Sequence, residues 1–379
     1  MLKNIENLKL KFSQKYGGEP RIFRAPGRVN LIGEHTDYND GFVMPCALDF
    51  AAFVAASARA DRKIRVASLN FDGEYAFDLD NPTAEVAEGW ARYVQGVALI
   101  LERSGYRLQG ADLLIDSDVP IGAGLSSSAA LEMSTGFAFT SISGVDIDKW
   151  KLAKIGQTAE HEYAGVRSGI MDQFASVFGI ENHALFLDCR SLNWESIPLL
   201  SAKFIICNTR TKHDLADGEY NKRRADCEEA AKLLEHQSLR DVTVAEFSEK
   251  AGTLPERLKK RARHVITENQ RVLSAAKCLK ANNLAEFGRL MNESHESLRV
   301  DYEVSSAELD LMVKIVRSQP GVLGARMTGG GFGGCTVNLL ENNASAEFIE
   351  NVSTEYQKTT GISPSIYVCQ AGQGVSEFI

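Results

Sequence analysis

The chain has 379 residues, 44% hydrophobic and 24% charged, with a formal net charge of −8. That length allows two domains with well-buried cores, while the acidic balance excludes a generally basic surface for nucleic acid and points to small molecules as partners. No uninterrupted secretory apolar segment and no run long enough for a membrane span is present, and seven scattered cysteines without a C-x-x-C pair read as reduced thiols of a cytoplasmic protein.

Met1–Phe12 spaces its apolar residues like a short amphipathic helix. The stretch Arg24–Tyr38 follows, with Arg24, Arg28, Asn30, Glu34, His35 and Asp37 gathered around Gly27 and Gly33 and too few apolar positions for an ordinary strand or helix. Carboxylates accept from hydroxyls and an imidazole donates or accepts, so the group suits a polyhydroxylated ligand; a salt-bridged surface loop is the plainer alternative. Strands are expected at Phe50–Ala56, Lys63–Leu69, Tyr75–Leu79 and Ala111–Ile115.

From the last of these the chain runs through Pro120-Ile-Gly-Ala-Gly-Leu-Ser-Ser-Ser-Ala129 into a helix from Ser126 to about Thr140. Gly122 and Gly124 permit a sharp turn, the helix start offers unpaired amides and the positive end of its dipole, and three hydroxyls add donors. The segment reads as a phosphate cradle, with a plain strand-to-helix turn capped by serine as the equally weighted alternative. It has no lysine before its closing serine, unlike a Walker A loop, and lacks the dinucleotide fingerprint of glycines.

Helices at Lys149–Tyr163 and from Gly169 to Phe178 carry Glu160 and Asp172 on either side of the Gly165 to Gly169 break. No H-E-x-x-H spacing surrounds His161, which disfavours zinc; a hard cation held by phosphates and a few oxygens suits the cluster better. Capping of a helix is the alternative role for Asp172. Ala184–Leu187 and Lys203–Cys207 read as strands, and the polar, turn-rich Arg190–Pro198 marks the boundary between domains 1–195 and 196–379.

Charged helices then dominate at Tyr220–His236, Pro255–Ala281, Leu284–Leu298 and Ala307–Ser318. The chain closes with strands Val322–Met327 and Cys335–Leu340, a helix Ala344–Thr359 and a strand Ser365–Gln370, a mixed α+β order. Between the first two strands, Gly329-Gly-Gly-Phe-Gly-Gly334 holds more glycine than a hairpin turn needs, as a loop packed against the phosphate cradle would.

In order, Pro26–Tyr38, Gly122–Ala129 and Gly329–Gly334 resemble the three motifs of the GHMP small-molecule kinases. The first is similar to the galactokinase signature, as is Gly169-Ile-Met-Asp-Gln-Phe174, so the resemblance spans nearly the whole chain. It implies an α+β fold of two domains, the first like ribosomal protein S5 domain 2 and the second ferredoxin-like, with the active site between them. It also implies ATP-dependent phosphorylation of galactose at its anomeric hydroxyl by a monomer, with Mg²⁺ as cofactor.

Carried over residue by residue, Asp172 would act as catalytic base or orient the hydroxyl, with Arg28 beside it offsetting charge on the transferring phosphoryl group. Gly122, Ala123, Gly124, Leu125, Ser126, Ser127 and Ser128 would wrap the nucleotide phosphates, and Ser128 with Glu160 would hold Mg²⁺. Glu34, His35, Asp37, the backbone at Gly169, and Tyr220 would bind sugar hydroxyls, and Ser68 would approach the nucleotide. The motifs leave the adenine-stacking residues unassigned. Alternatives are a kinase for N-acetylgalactosamine or arabinose, or a non-catalytic galactose and ATP sensor; the intact serine loop, Arg28, Glu160 and Asp172 favour catalysis.

Overall fold

The computed structural model describes residues 2–82, 87–200, 202–212, 216–341 and 346–378. The first residue of the expected N-terminal helix and residues 344–345 of the expected helix Ala344–Thr359 lie outside them.

Among the described residues, six strands form the first sheet, in the order Ser376–Phe378, Arg21–Asn30, Pro45–Arg59, Gly110–Ser117, Lys63–Ser68 and Glu74–Asp78. Neighbours are antiparallel except Lys63–Ser68 beside Gly110–Ser117. Side chains alternate across such a sheet. Ile22, Phe53, Ala55 and Leu114 therefore pack with Ile5, Leu8 and Phe12 of the helix Leu2–Tyr16 on one face. Phe23, Val54, Ala56 and Leu113 pack with Val94, Val97 and Phe139 on the other. Each large buried side chain contributes about 1.5–3 kcal/mol, so a one-residue slip would misplace every one of them.

Arg21–Asn30 corrects the expectation that Arg24–Tyr38 is too polar for a strand: nine of its ten residues are buried. Its polar side chains find partners within the fold, which removes the penalty that composition suggests. Arg24 donates to the Gln373 carbonyl, Arg28 to Asp172, and Asn30 to Glu34.

The helices Ala91–Arg103, Ser127–Ile142, Lys149–Ala159 and Met171–Phe178 cover one face of this sheet. Ala91–Arg103 is an addition to the expected elements, although Val94, Val97, Ala98 and Leu101 carry helical spacing and are buried. The segment Arg190–Pro198, expected to be turn-rich, also contains the strand Trp194–Pro198, which pairs with His183–Asp188. Trp194 and Ile197 point into two different apolar clusters, the alternation a short strand requires.

A second, antiparallel sheet runs Val322–Thr328, Gly333–Leu340, Lys203–Lys212, Ser365–Cys369. Helices Ala307–Arg317 and Ala346–Thr360 meet one face of it, through Met312, Val316, Phe348 and Val352. On the other face Val337 and Ile206 join Val272 and Phe287 of Glu256–Lys280 and Leu284–Ser297, and this cluster continues into Val29, Leu31 and Leu125 of the first half. One apolar core thus spans the junction and holds the serine loop and the glycine loop against each other. Among the described residues, no helix is long and apolar enough to cross a membrane.

Candidate active site

At that junction a cavity of about 270 Å³ is lined by Arg28, Glu34, His35, Asp37, Gly122, Gly124–Ser128, Glu160, Ser168, Asp172, Tyr220, Gly329 and Gly330, among others. Every expected site residue lines it except Ala123, which is buried, Gly169, which packs on Asp37, and Ser68.

The serine loop turns through positive φ at Gly122 (67°), Gly124 (76°) and Ser126 (57°), and the helix begins at Ser127. A helix start leaves its first amides without intrahelical partners, and Ser127 and Ser128, which open this helix, line the cavity. Against the loop lies Gly329: a Cβ there would stand 2.9 Å from the Gly124 carbonyl oxygen and 3.0 Å from its Cα. A Cβ at Gly334 would likewise meet the Ala123 carbonyl at 3.1 Å and one at Gly331 the Val304 carbonyl, so close backbone approach accounts for three of the loop's glycines.

Asp172 lies in the first turn of Met171–Phe178, yet its carboxylate faces the serine loop and does not cap its helix. Arg28 Nε and Nη2 both stand 2.8 Å from Oδ1, and Ser126 Oγ donates to Oδ2 at 2.5 Å. Ser126 is thereby spoken for and makes no capping bond of its own. Arg28 Nη1 also donates to the Gly124 carbonyl at 2.6 Å, tying the carboxylate to the serine loop. The strand ladder shifts between Pro26 and Arg28, and such an irregularity re-aims the following side chain. Burial works against the Arg28 charge, but Asp172 and Glu34 outweigh it and raise its pKa.

Glu160 opens a π-helical turn, Glu160–Ala164, at the end of Lys149–Ala159, a feature that frequently marks functional sites. It accepts from Ser128 Oγ at 3.0 Å, from Ser168 Oγ, and from Gln173 Nε2 at 3.2 Å. Gln173 Nε2 also reaches Glu132 Oε2 at 2.9 Å. Burial and Asp172 raise the Glu160 pKa against those hydrogen bonds; burial and Glu160 push Glu132 far above the carboxylate range. His161 is occupied with the Ser168 carbonyl at 2.7 Å and does not join the cluster.

On the opposite wall Glu34 is held on both oxygens. Thr328 Oγ1 (3.0 Å) and the Gly329 amide (2.7 Å) donate to Oε1, and Asn30 Nδ2 donates to Oε2 at 3.1 Å. The fully buried Arg326 stands behind it, 3.6 Å from Oε1. Burial, then Asp172, raise Asp37 to about 7. Gly169 touches this carboxyl so closely that a Cβ would fall 2.2 Å from Oδ2. The Tyr220 ring leans on His35 and meets Tyr38 edge-on. Both ring nitrogens of His35 are already engaged, Nδ1 with Tyr38 Oη at 2.8 Å and Nε2 with the Gly330 carbonyl at 3.2 Å.

Ser68 lines an adjoining cavity of about 360 Å³ with Asn70, Phe71, Trp90, Tyr93 and Leu131, and the two cavities share Gly122, Ser127, Ser128 and Tyr93. The Phe71 and Trp90 rings are near-parallel, 17° apart in plane with centroids 6.3 Å apart. Both aromatics lie outside the sequence motifs and were missed, as were Glu132, Ser168, Gln173 and Arg326. Glu132 did carry a signal, being the single charged residue of the helix Ser127–Ile142.

Three family models match the chain: the galactokinase galactose-binding signature at residues 10–58, the GHMP kinase N-terminal domain at 92–180 and the GHMP kinase C-terminal region at 275–358. The galactokinase of Chloroflexus aggregans is 48% identical over 371 residues, covering 96% of this chain and 95% of its own. That of Fusobacterium nucleatum is 44% identical, covering 98% and 99%. A crystal structure of Lactococcus lactis galactokinase complexed with galactose superposes with a TM-score of 0.96 at 39% identity, over 99% of this chain and 100% of that one. The mevalonate kinase of Methanococcus jannaschii, 19% identical with a TM-score of 0.67 over 94% and 99% of the chains, shares the fold. Likeness of this degree along the whole length, with the signature falling on the loop that carries Glu34 and Asp37, means that the chain belongs to the galactokinases of the GHMP kinase family.

Proposed function

We propose that this chain transfers the γ-phosphoryl group of ATP to the anomeric hydroxyl of galactose, giving galactose 1-phosphate and ADP. The observation that carries the reading is the Arg28–Asp172–Ser126 contact: one carboxylate is fixed to the phosphate loop on one side and faces a pocket of hydroxyl-binding groups on the other.

Glu34, Asp37, Gly169 and Tyr220 form the sugar side, with His35 among them. Hydroxyl donors that reach Asp37 favour its carboxylate form and offset the burial that raises its pKa. Asp172 accepts from the anomeric hydroxyl and aims its oxygen at the phosphoryl group; Arg28 stabilises the charge that spreads over the phosphoryl oxygens. The serine-loop amides hold the nucleotide phosphates, and the aromatic cavity beside Ser68 takes the adenine.

Mg²⁺ fits the donors present. Ser128 and Glu160 supply two hard oxygens at the cavity wall, and burial with neighbouring carboxylates raises the pKa of both Glu160 and Glu132, a cost that a divalent cation beside them would offset. Magnesium is typically bound through one or two protein oxygens plus substrate phosphates and water, a demand these two donors meet. When bound, it neutralises phosphate charge and orients the transferring group. The chain acts as a cytoplasmic monomer, a reading supported by seven free cysteines and a site complete within one chain.

Coupled measurement of ADP release with MgATP and a panel of galactose, N-acetylgalactosamine and arabinose tests this. Galactose is expected to lead by about 100-fold or more in kcat/KM, because a pocket of buried polar groups rejects sugars that leave one unpaired. Background turnover with galactose in folded protein would overturn the reading. Gly169→Ala is expected to raise the galactose KM by about tenfold or more, the cost of a lost hydrogen bond to a charged group, because the new Cβ must displace the Asp37 carboxyl. An unchanged KM in that variant would remove Asp37 from the sugar site.

A further inference from the structure

His35 sits in the middle of the expected sugar-binding run, yet its ring has no free nitrogen. The Gly330 carbonyl can only accept, so the Nε2 that faces it at 3.2 Å carries the proton. The ring is neutral: burial, aided by His264, Arg223 and Arg326, lowers its pKa to about 3. A neutral imidazole protonated at Nε2 has a bare Nδ1, which accepts from Tyr38 Oη at 2.8 Å.

That assignment propagates. With its proton committed to His35, Tyr38 presents its oxygen to Tyr302 Oη, 2.8 Å away, which must donate. The Tyr302 oxygen accepts in turn from Cys227 Sγ at 3.1 Å, and burial keeps that thiol protonated by raising its pKa to about 12. The chain of bonds runs one way, from thiol to carbonyl. Cys227 lies on Ala216–Leu233, Tyr302 ends the π-helical turn Leu298–Tyr302, and Gly330 belongs to the glycine loop, so three parts of the C-terminal half close on the sugar loop. His35 is held at φ 61°, a backbone state that a non-glycine residue keeps only when its surroundings impose it. Its ring also lies 4.8 Å from that of Tyr302 and 5.4 Å from that of Tyr220.

We propose that His35 is a positioning residue and not a sugar ligand: locked in the Nε2–H tautomer by the Cys227–Tyr302–Tyr38 chain, it clamps the glycine loop at Gly330 and seats Tyr220 on the sugar pocket. The proposal rests on the galactose reading of that pocket for its kinetic consequence, and on the Gly330 carbonyl as an obligate acceptor together with the burial of the ring for its tautomer.

The test is ¹⁵N-histidine NMR on the full chain, without and with saturating galactose, together with galactose kinetics. A protonated Nε2 and bare Nδ1, unaltered by galactose, are expected. Tyr38→Phe should move the Nδ1 resonance alone, and Tyr38→Phe and Tyr302→Phe should each raise the galactose KM about fivefold with kcat within about twofold, the pattern of weakened binding without lost chemistry. His35→Gln, which keeps a donor for Gly330, should retain more affinity than His35→Ala. An Nδ1–H tautomer, or a tautomer that switches when galactose binds, overturns the proposal. Should Tyr38→Phe fail to fold, the wild-type tautomer and Tyr302→Phe still decide it. Absence of galactose binding in wild-type protein would count against the functional reading while leaving the tautomer measurement decisive for the clamp.

Discussion

Asp172→Asn is expected to lower kcat by about 10²- to 10⁴-fold, the range for losing a positioned general base, while the KM values for galactose and ATP stay within a few-fold. Asparagine has the same shape, so the helix Met171–Phe178 and the pocket wall are preserved. What changes is the acceptor. In the native site one oxygen takes Arg28 and the other takes Ser126, whereas the amide can accept on one side only and turns a donor toward the other. The size of the loss separates two roles: a value near the lower end marks orientation of the hydroxyl, and one near the upper end marks removal of its proton ahead of a loose phosphoryl transfer. Steady-state kinetics with calorimetric galactose titration make the measurement; a loss below about tenfold would exclude Asp172 from either role.

Arg28→Met should be nearly as damaging, and in two ways at once. Methionine fills a similar length of space but removes the guanidinium that joins Asp172 to the Gly124 carbonyl. Loss of one preorganised donor at a developing charge lowers kcat by about 10²- to 10³-fold. Folding stability should fall by about 2 kcal/mol, less than the 3–5 kcal/mol of a fully buried broken pair, since Asp172 keeps Ser126 and 21% side-chain exposure. Arg28→Lys should fall between, keeping the charge without the planar fork. Activity assays paired with denaturant unfolding check both effects, and a wild-type kcat in Arg28→Met would exclude Arg28 from the phosphoryl-transfer site.

The glycine loop and the serine loop were legible as parts of one site because their composition has a local cost. Six residues from Gly329 to Gly334 with five glycines lose chain entropy that only a close backbone approach compensates, and the contact with Gly124 is that approach. Gly169 was legible through its motif, while its reason, the Asp37 carboxyl against its Cα, is a tertiary fact. The strand Arg21–Asn30 was misread for the opposite cause. Its arginines and asparagine looked too polar to bury, and the partners that make them burial-compatible lie 144 to 349 positions away in sequence for Arg28 and Arg24.

Phe71 and Trp90 show the same limit in the adjoining cavity. Neither belongs to a motif, and they form a slot only because Glu74–Asp78 and Ala91–Arg103 bring their neighbouring segments together. The hydroxyls of Ser126 and Ser128 likewise separate by geometry. Ser126 turns to Asp172 and Ser128 to Glu160, because a left-handed residue before the first helical turn points its side chain apart from those that follow.

By itself the sequence determined the α+β character, the serine loop that turns from strand into helix, the glycine loop and the acidic and hydroxyl groups available for chemistry, since periodicity, glycine excess and residue type are local properties. Only the tertiary structure decided which carboxylate faces the cavity, which is paired behind it, and which ring nitrogens of His35 are spent, since hydrogen-bond directions and burial exist only once distant strands and helices have packed into one core.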